Sequence, residues 1–174
     1  MGAQPVWVIV PAGLMLAAAG VSDIRTRRIP NALTFGAAAC GLAAHLLAGG
    51  WHGALFSLGG WGLGLAAFLP LFLLGGMGAG DVKLLAAVGA WLGPAGAGWT
   101  ALYAAIAGGA MALVMALGRG YLKTAFANLW SLAGYWRAVG PRPYDGLTLQ
   151  SAAGPRLPYA LAIAAGAVVT VWLH

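Results

Sequence analysis

Apolar residues in this chain come in long unbroken runs, not at the alternating or 3.6-residue spacings of half-buried elements. Runs cover residues 6–22, 32–48, 54–74, 81–97, 99–117 and 157–173. Each approaches the ~20 residues that an α-helix needs to cross a bilayer. The pattern predicts an all-α, polytopic membrane helical bundle of six transmembrane spans, forming one domain over residues 1–174. Pro30 and Asn31 punctuate the first connection, with Asn31 as the expected N-cap of the second span. Gly59, Gly60, Gly62 and Gly64 predict close helix packing in the third, and Pro70 predicts a kink there. Gly93-Pro94 closes the core of the fourth.

The stretch between the last two runs is more polar. Leu122, Phe126, Leu129, Ala133 and Trp136 recur there at steps of three and four, while Lys123, Asn128, Ser131 and Arg137 lie off that stripe. With Tyr121, Trp130 and Tyr135 nearby, this predicts an amphipathic helix in the headgroup layer on the cytoplasmic side. A turn follows, and Asp145 in Pro-Tyr-Asp-Gly reads as a turn residue.

Composition agrees with the membrane class. Of 174 residues 61% are hydrophobic and only 7% charged, too few charges to cover a water-facing surface. Cys40, the one cysteine, forms no intrachain disulfide or Cys₄ site, and its apolar surroundings predict a buried packing residue. His45, His52 and His174 have no ligand spacing, so no metal or other cofactor is expected, and nothing points to nucleic acid. The first run lacks the basic flank of a signal peptide and reads as a retained span.

Charge changes the picture by fixing topology. Lys and Arg number nine against three acidic residues, a net +6. Arg25, Arg27 and Arg28 follow the first span, Lys83 follows the third, and Arg119, Lys123, Arg137, Arg142 and Arg156 separate the fifth from the sixth. Six crossings put all of these on one side, which the positive-inside rule makes cytoplasmic, with both termini outside. The short fourth span must cross, or the basic residues after Leu117 would change sides.

Two of the three acidic residues then face the cytoplasm at similar depth. Asp23 follows the first span, and Asp81 follows the glycine-rich bend Gly75-Gly76-Met77-Gly78-Ala79-Gly80. Two adjacent carboxylates share a proton, so the charged one can deprotonate water while the protonated one polarises a carbonyl. The pair titrates as a unit, and neither role is assigned. Gly78 and Gly80 are expected to use backbone angles closed to other residues and to admit a substrate backbone. Lys83 either lowers the Asp81 pKa or snorkels to the headgroups. The alternative for both aspartates is capping or ion pairing in water at helix ends.

Asp23 through Ile29-Pro30-Asn31, then Gly78-Ala79-Gly80-Asp81-Val82-Lys83, resembles the paired signature of type IV prepilin peptidases. Arg156-Leu157-Pro158-Tyr159-Ala160-Leu161-Ala162-Ile163 is similar to the opening of that family's last span. The resemblance implies a GxGD membrane aspartyl endopeptidase of the bacterial inner membrane, with Asp23 and Asp81 as catalytic aspartates. It implies a prepilin substrate, cleaved of its leader on the cytoplasmic side, and pilus assembly machinery as partner. The chain lacks the large insertion and cysteine cluster of longer members, so leader N-methylation is not expected, and its short form looks like the Flp/Tad-pilus branch.

Around the aspartates, Arg28 with Arg25 and Arg27 either meets an acidic residue of the pilin or serves topology and anionic lipid. Arg156, Pro158 and Tyr159 either line the site or anchor the sixth span. Two other function classes use the same residues: a proton-coupled transporter carrying protons on Asp23 and Asp81, and a non-catalytic pilus-assembly scaffold. The Ala-, Gly- and Leu-rich spans offer few polar residues for a transport path.

Overall fold

The protein is described by a computed structural model covering residues 4–120, 122–142 and 157–174. The chain forms α1 (Val6–Thr26), α2 (Asn31–Leu73), α3 (Ala79–Gly118), α4 (Leu122–Val139) and α5 (Tyr159–Leu173). All regular structure among the described residues is helical. Three helices, α1, α2 and α3, are long and apolar enough to cross a membrane, and α5 is a shorter apolar helix.

The six separate spans expected from the sequence are therefore not what is seen. The second and third predicted spans join in α2 (43 residues), and the fourth and fifth in α3 (40 residues). The reason is local. Helical bonding resumes directly after one aberrant residue in each: Gly50 (φ 57°, ψ −143°) in α2 and Gly93 (φ 74°, ψ −177°) in α3. Glycine alone tolerates these angles readily. At Gly93 the site also lacks room for a side chain, because a Cβ would overlap the Phe56 ring. Pro94 then opens the next helical stretch, where its missing N–H is no loss. Pro70 lies inside α2, and the break falls at Gly50 instead.

Contact order shows that both long elements double back. Before Gly50, Asn31 meets Lys83, Gly41 meets Ala90 and His45 meets the Trp91 carbonyl. After it, Ser57 meets Ala90, Gly60 meets Gly89, and Gly64 meets Leu85 and Ala86. The paired numbers rise together in the first set and oppose each other in the second. Likewise α5 runs against the second half of α3, pairing Thr100 with Thr170, Ala104 with Gly166 and Gly108 with Tyr159. It also runs against α1, pairing Gly20 with Leu161 and Asp23 with Ala160.

The first half of α3 is the axis of the bundle, buried without interruption from Leu84 to Gly93. Small residues let other backbones reach it: Gly60 and Gly89 are so close that a Cβ on either would strike the other's carbonyl oxygen. Trp91 donates to the Ala37 carbonyl (2.9 Å) and Ser57 to the Ala90 carbonyl (2.8 Å), so buried polar atoms are satisfied. Cys40, expected to be buried, is exposed on the outer face of α2; that half of α2 packs inward through Ala37, Gly41 and Ala44 instead. The predicted amphipathic stripe is helix α4, which buries none of its residues and exposes Phe126, Leu129 and Trp130. Asp145 and Arg156 lie outside the described residues.

Candidate active site

Asp23 sits one turn before the end of α1, yet it is only 7% exposed. Arg27 closes that helix in a left-handed conformation (φ 53°), donating its N–H to the Asp23 carbonyl at 2.9 Å. The next residues are drawn back onto the helix end, because Ser22 Oγ (2.7 Å) and Thr26 Oγ1 (3.2 Å) both donate to the Arg28 carbonyl. Pro30, extended, then caps α2. Asn31 is not the N-cap the sequence suggested; it is the first helical residue. A proline with fixed φ suits the cap and leaves the Asn31 amide free for another partner. That partner is Lys83, whose Nζ donates to Asn31 Oδ1 at 2.9 Å and lies 5.4 Å over the Phe35 ring.

The second aspartate is placed by the bend after α2. Gly75 (φ 77°) turns the chain, and Gly76 donates to the Leu71 carbonyl at 2.9 Å. Gly78 is the N-cap of α3 and Asp81 its third residue. The Asp81 carboxylate lies back beside Gly78, as acidic residues do in the first turn of a helix.

Gly78 and Gly80 act differently from the sequence expectation. Gly78 has ordinary extended angles (φ −78°, ψ 144°), and Gly80 lies within the helix. Their absent side chains matter because of space. A Cβ on Gly78 would sit 3.1 Å from Asp81 Oδ2, and one on Gly80 would sit 3.2 Å from Ile29 Cβ.

These elements converge at one end of the bundle. Asp23 and Asp81 are electrostatic neighbours. Asp23 Oδ2 also accepts the Ala160 N–H at 3.2 Å, from the first turn of α5. Each carboxylate thus faces a helix N-terminus, where unbonded N–H groups favour negative charge. Tyr159 is a third neighbour and interacts electrostatically with Asp81. Its hydroxyl donates to the Ala104 carbonyl (3.3 Å), and its ring meets Phe68 edge-on at 5.8 Å and rests on Gly108.

Of the residues singled out from sequence, Asp23, Asp81, Gly78, Gly80 and Tyr159 are gathered here. Lys83, Asn31, Pro30 and the Arg28 carbonyl form the supporting loop beside them. The Arg25, Arg27 and Arg28 side chains lie on the exposed loop side. Pro158 caps α5 and, with Leu157, Ala110, Met111, Val114 and Arg119, lines an apolar groove of about 650 Å³. Sequence reasoning missed the Ala160 N–H, because a backbone donor carries no residue signature. It also missed Ile29, which the motif contained without a role. Among the described residues, no three His, Cys, Asp or Glu side chains cluster as metal ligands would.

The apolar helices fit a membrane protein, and the two neighbouring carboxylates at one end mark its candidate site. The chain belongs to the type IV leader peptidase family, whose model matches residues 11–113. No curated protein and no solved structure matches the chain significantly. The family match makes the protein a peptidase and fits an inner-membrane location. It includes both aspartates and ends within α3, before α4 and α5.

Proposed function

We propose that the protein is an aspartyl endopeptidase that removes the leader of type IV prepilins, of the Flp type, at the cytoplasmic face of the inner membrane. The observation that carries this reading is the meeting of Asp23 and Asp81, from separate helices, against the N-termini of α5 and α3. In the resting pair one carboxyl is protonated and one charged. The charged one removes a proton from water as the water oxygen bonds to the scissile carbonyl carbon. The protonated one gives its proton to the carbonyl oxygen, forming a neutral gem-diol. As that diol collapses and the C–N bond breaks, one carboxyl gives its proton to the leaving nitrogen while the other carboxylate takes the proton of a diol hydroxyl, which restores the singly protonated pair. The products are a leader ending in a carboxylate and a pilin with a new amino terminus.

Each half of α2 and of α3 crosses the bilayer in this proposal. At roughly 1.5 Å per residue, 43 residues give about twice the ~30 Å hydrocarbon thickness. Arg25, Arg27, Arg28, Lys83 and Arg119 lie at the aspartate end of the helices, whereas Gly50 and Gly93 mark the opposite end. The positive-inside rule then makes the aspartate end cytoplasmic. The apolar groove beside Pro158 suits the apolar stretch of a prepilin, and α4 lies in the headgroup layer.

The test is cleavage of a co-expressed Flp-type prepilin by wild type, Asp23→Asn and Asp81→Asn at matched membrane levels. Each substitution is expected to abolish cleavage. Efficient cleavage by either variant would refute the two-aspartate mechanism, and cleavage of no prepilin by wild type would refute the substrate.

A further inference from the structure

The paired aspartates come from α1 and α3, and the loop after α1 runs beside the first turns of α3. Asp23 leads into that loop, and Asn31 ends it eight residues later. Its backbone is folded tightly, since the Arg27 N–H returns to the Asp23 carbonyl and the Arg28 carbonyl takes both Ser22 and Thr26 hydroxyls. A shift of Asn31 is therefore passed back towards Asp23. On the other side, Lys83 lies two residues after Asp81, in the same first turns of α3. Two residues on a helix of 3.6 per turn are about 200° apart, so the Lys83 side chain leaves the face opposite Asp81.

Three contacts tie these segments together. Lys83 Nζ donates to Asn31 Oδ1 at 2.9 Å, a hydrogen bond strengthened by the ammonium charge. The same ammonium lies 5.4 Å over the Phe35 ring, one turn further along α2. Ile29 packs on Gly80, immediately before Asp81.

We infer that Lys83 and Asn31 are a positioning pair for catalysis: their hydrogen bond, seated on Phe35, holds the loop of Asp23 against the first turn of α3 and sets the spacing of the two carboxylates. The inference rests on the paired-aspartate reading above. Lys83 acts through geometry and not as a charge beside Asp81. Catalytic groups misplaced by about 1 Å lose roughly 100-fold in rate, so a small loosening here is visible in turnover.

The experiment measures prepilin cleavage by purified Lys83→Met, Asn31→Leu and the double variant, with Lys83→Arg and Asn31→Asp as conservative partners. Lys83→Met keeps the apolar stem, and Asn31→Asp keeps an acceptor for the ammonium. The single variants are expected to lower kcat roughly 10- to 100-fold with KM within about 2-fold of wild type. The double variant should be no worse than the poorer single variant, and both conservative variants should keep kcat within about 3-fold.

A readout independent of substrate accompanies it. Spin labels on Ile24→Cys and Ala79→Cys, in a Cys40→Ala background, report the spacing of the two segments. Lys83→Met should broaden or lengthen their dipolar distance distribution. Wild-type kcat in the single variants, multiplying defects in the double variant, or an unchanged distance distribution overturns the positioning role. Asp23→Asn and Asp81→Asn in the same assay separate the two ideas. If both are dead while Lys83→Met is fully active, only the positioning pair is wrong. If either aspartate variant cleaves, the underlying mechanism fails.

Discussion

Gly78→Ala is the most discriminating single change available at this site. The substituted position has extended angles that alanine adopts without strain, and changing the N-cap from glycine to alanine costs about 1 kcal/mol of helix stability. What the new methyl meets is Asp81 Oδ2, at 3.1 Å. Ordinary contact begins near 3.4 Å, so the carboxylate must retreat by about 0.3 Å or swing away from Gly78. Scaling the roughly 100-fold loss for a 1 Å misplacement in the exponent gives about a 4-fold fall in kcat, and more if the carboxylate swings away. Gly80→Ala provides the contrast. Alanine inside a helix is favoured by roughly 1 kcal/mol over glycine, but its methyl meets Ile29 Cβ at 3.2 Å, a branch carbon that cannot swing aside alone. Thermal melting in detergent and prepilin cleavage, run on both variants, give the comparison. Gly78→Ala should melt about 2–4 °C below wild type and cleave several-fold more slowly. Wild-type turnover in Gly78→Ala would show that the Asp81 carboxylate position is not critical and refute the reasoning.

Other outcomes follow from the same geometry. Tyr159→Phe should cost under about 1.5 kcal/mol, since it removes one hydroxyl bond to Ala104, whereas Tyr159→Ala should cost roughly 3–5 kcal/mol by emptying the space between Phe68 and Gly108; melting of both variants checks this, and equal losses would contradict it. Gly60→Val or Gly89→Val should prevent accumulation of folded protein in the membrane, because each places a side chain on the other's backbone; a folded, active Gly60→Val protein would show that α2 and α3 can separate without penalty. Cleavage rate should follow a bell-shaped pH profile, falling at low pH as the charged carboxylate is neutralised and at high pH as the shared proton is lost; a flat profile across both limbs would exclude the shared-proton pair.

Much of this was legible in the sequence because lipid imposes simple rules. Apolar run lengths gave the helices, and the distribution of basic residues put Asp23 and Asp81 at one end, where the helices do bring them together. The run pattern could not show that Gly50 and Gly93 each break the helix in one residue, because a hairpin without a loop has the same composition as two spans with a short one. Cys40 is exposed and not buried for a related reason: in a membrane chain an apolar neighbourhood does not distinguish the lipid face from the core. Asn31 looked like a cap from its type and place, but its partner lies across the fold at Lys83, beyond the reach of local pattern.

The glycines explain why so few polar residues suffice here. Where Gly60 meets Gly89 and Gly166 meets the backbone at Thr100 and Ala104, helices approach to backbone contact, and single hydrogen bonds such as Ser57 to Ala90 and Thr100 to Thr170 accompany that packing. That frame sets the level at which α5 begins beside α1, so that the Ala160 N–H arrives at Asp23. Gly108 does the same for Tyr159 by leaving room for its ring. A bulky residue at any of these contacts acts on the carboxylates from a distance, by lifting a whole helix and not by touching the site. Where backbone packing ends, in the loop from Arg27 to Asn31, polar contacts take over, and there the Lys83–Asn31 bond joins the two aspartate-bearing segments.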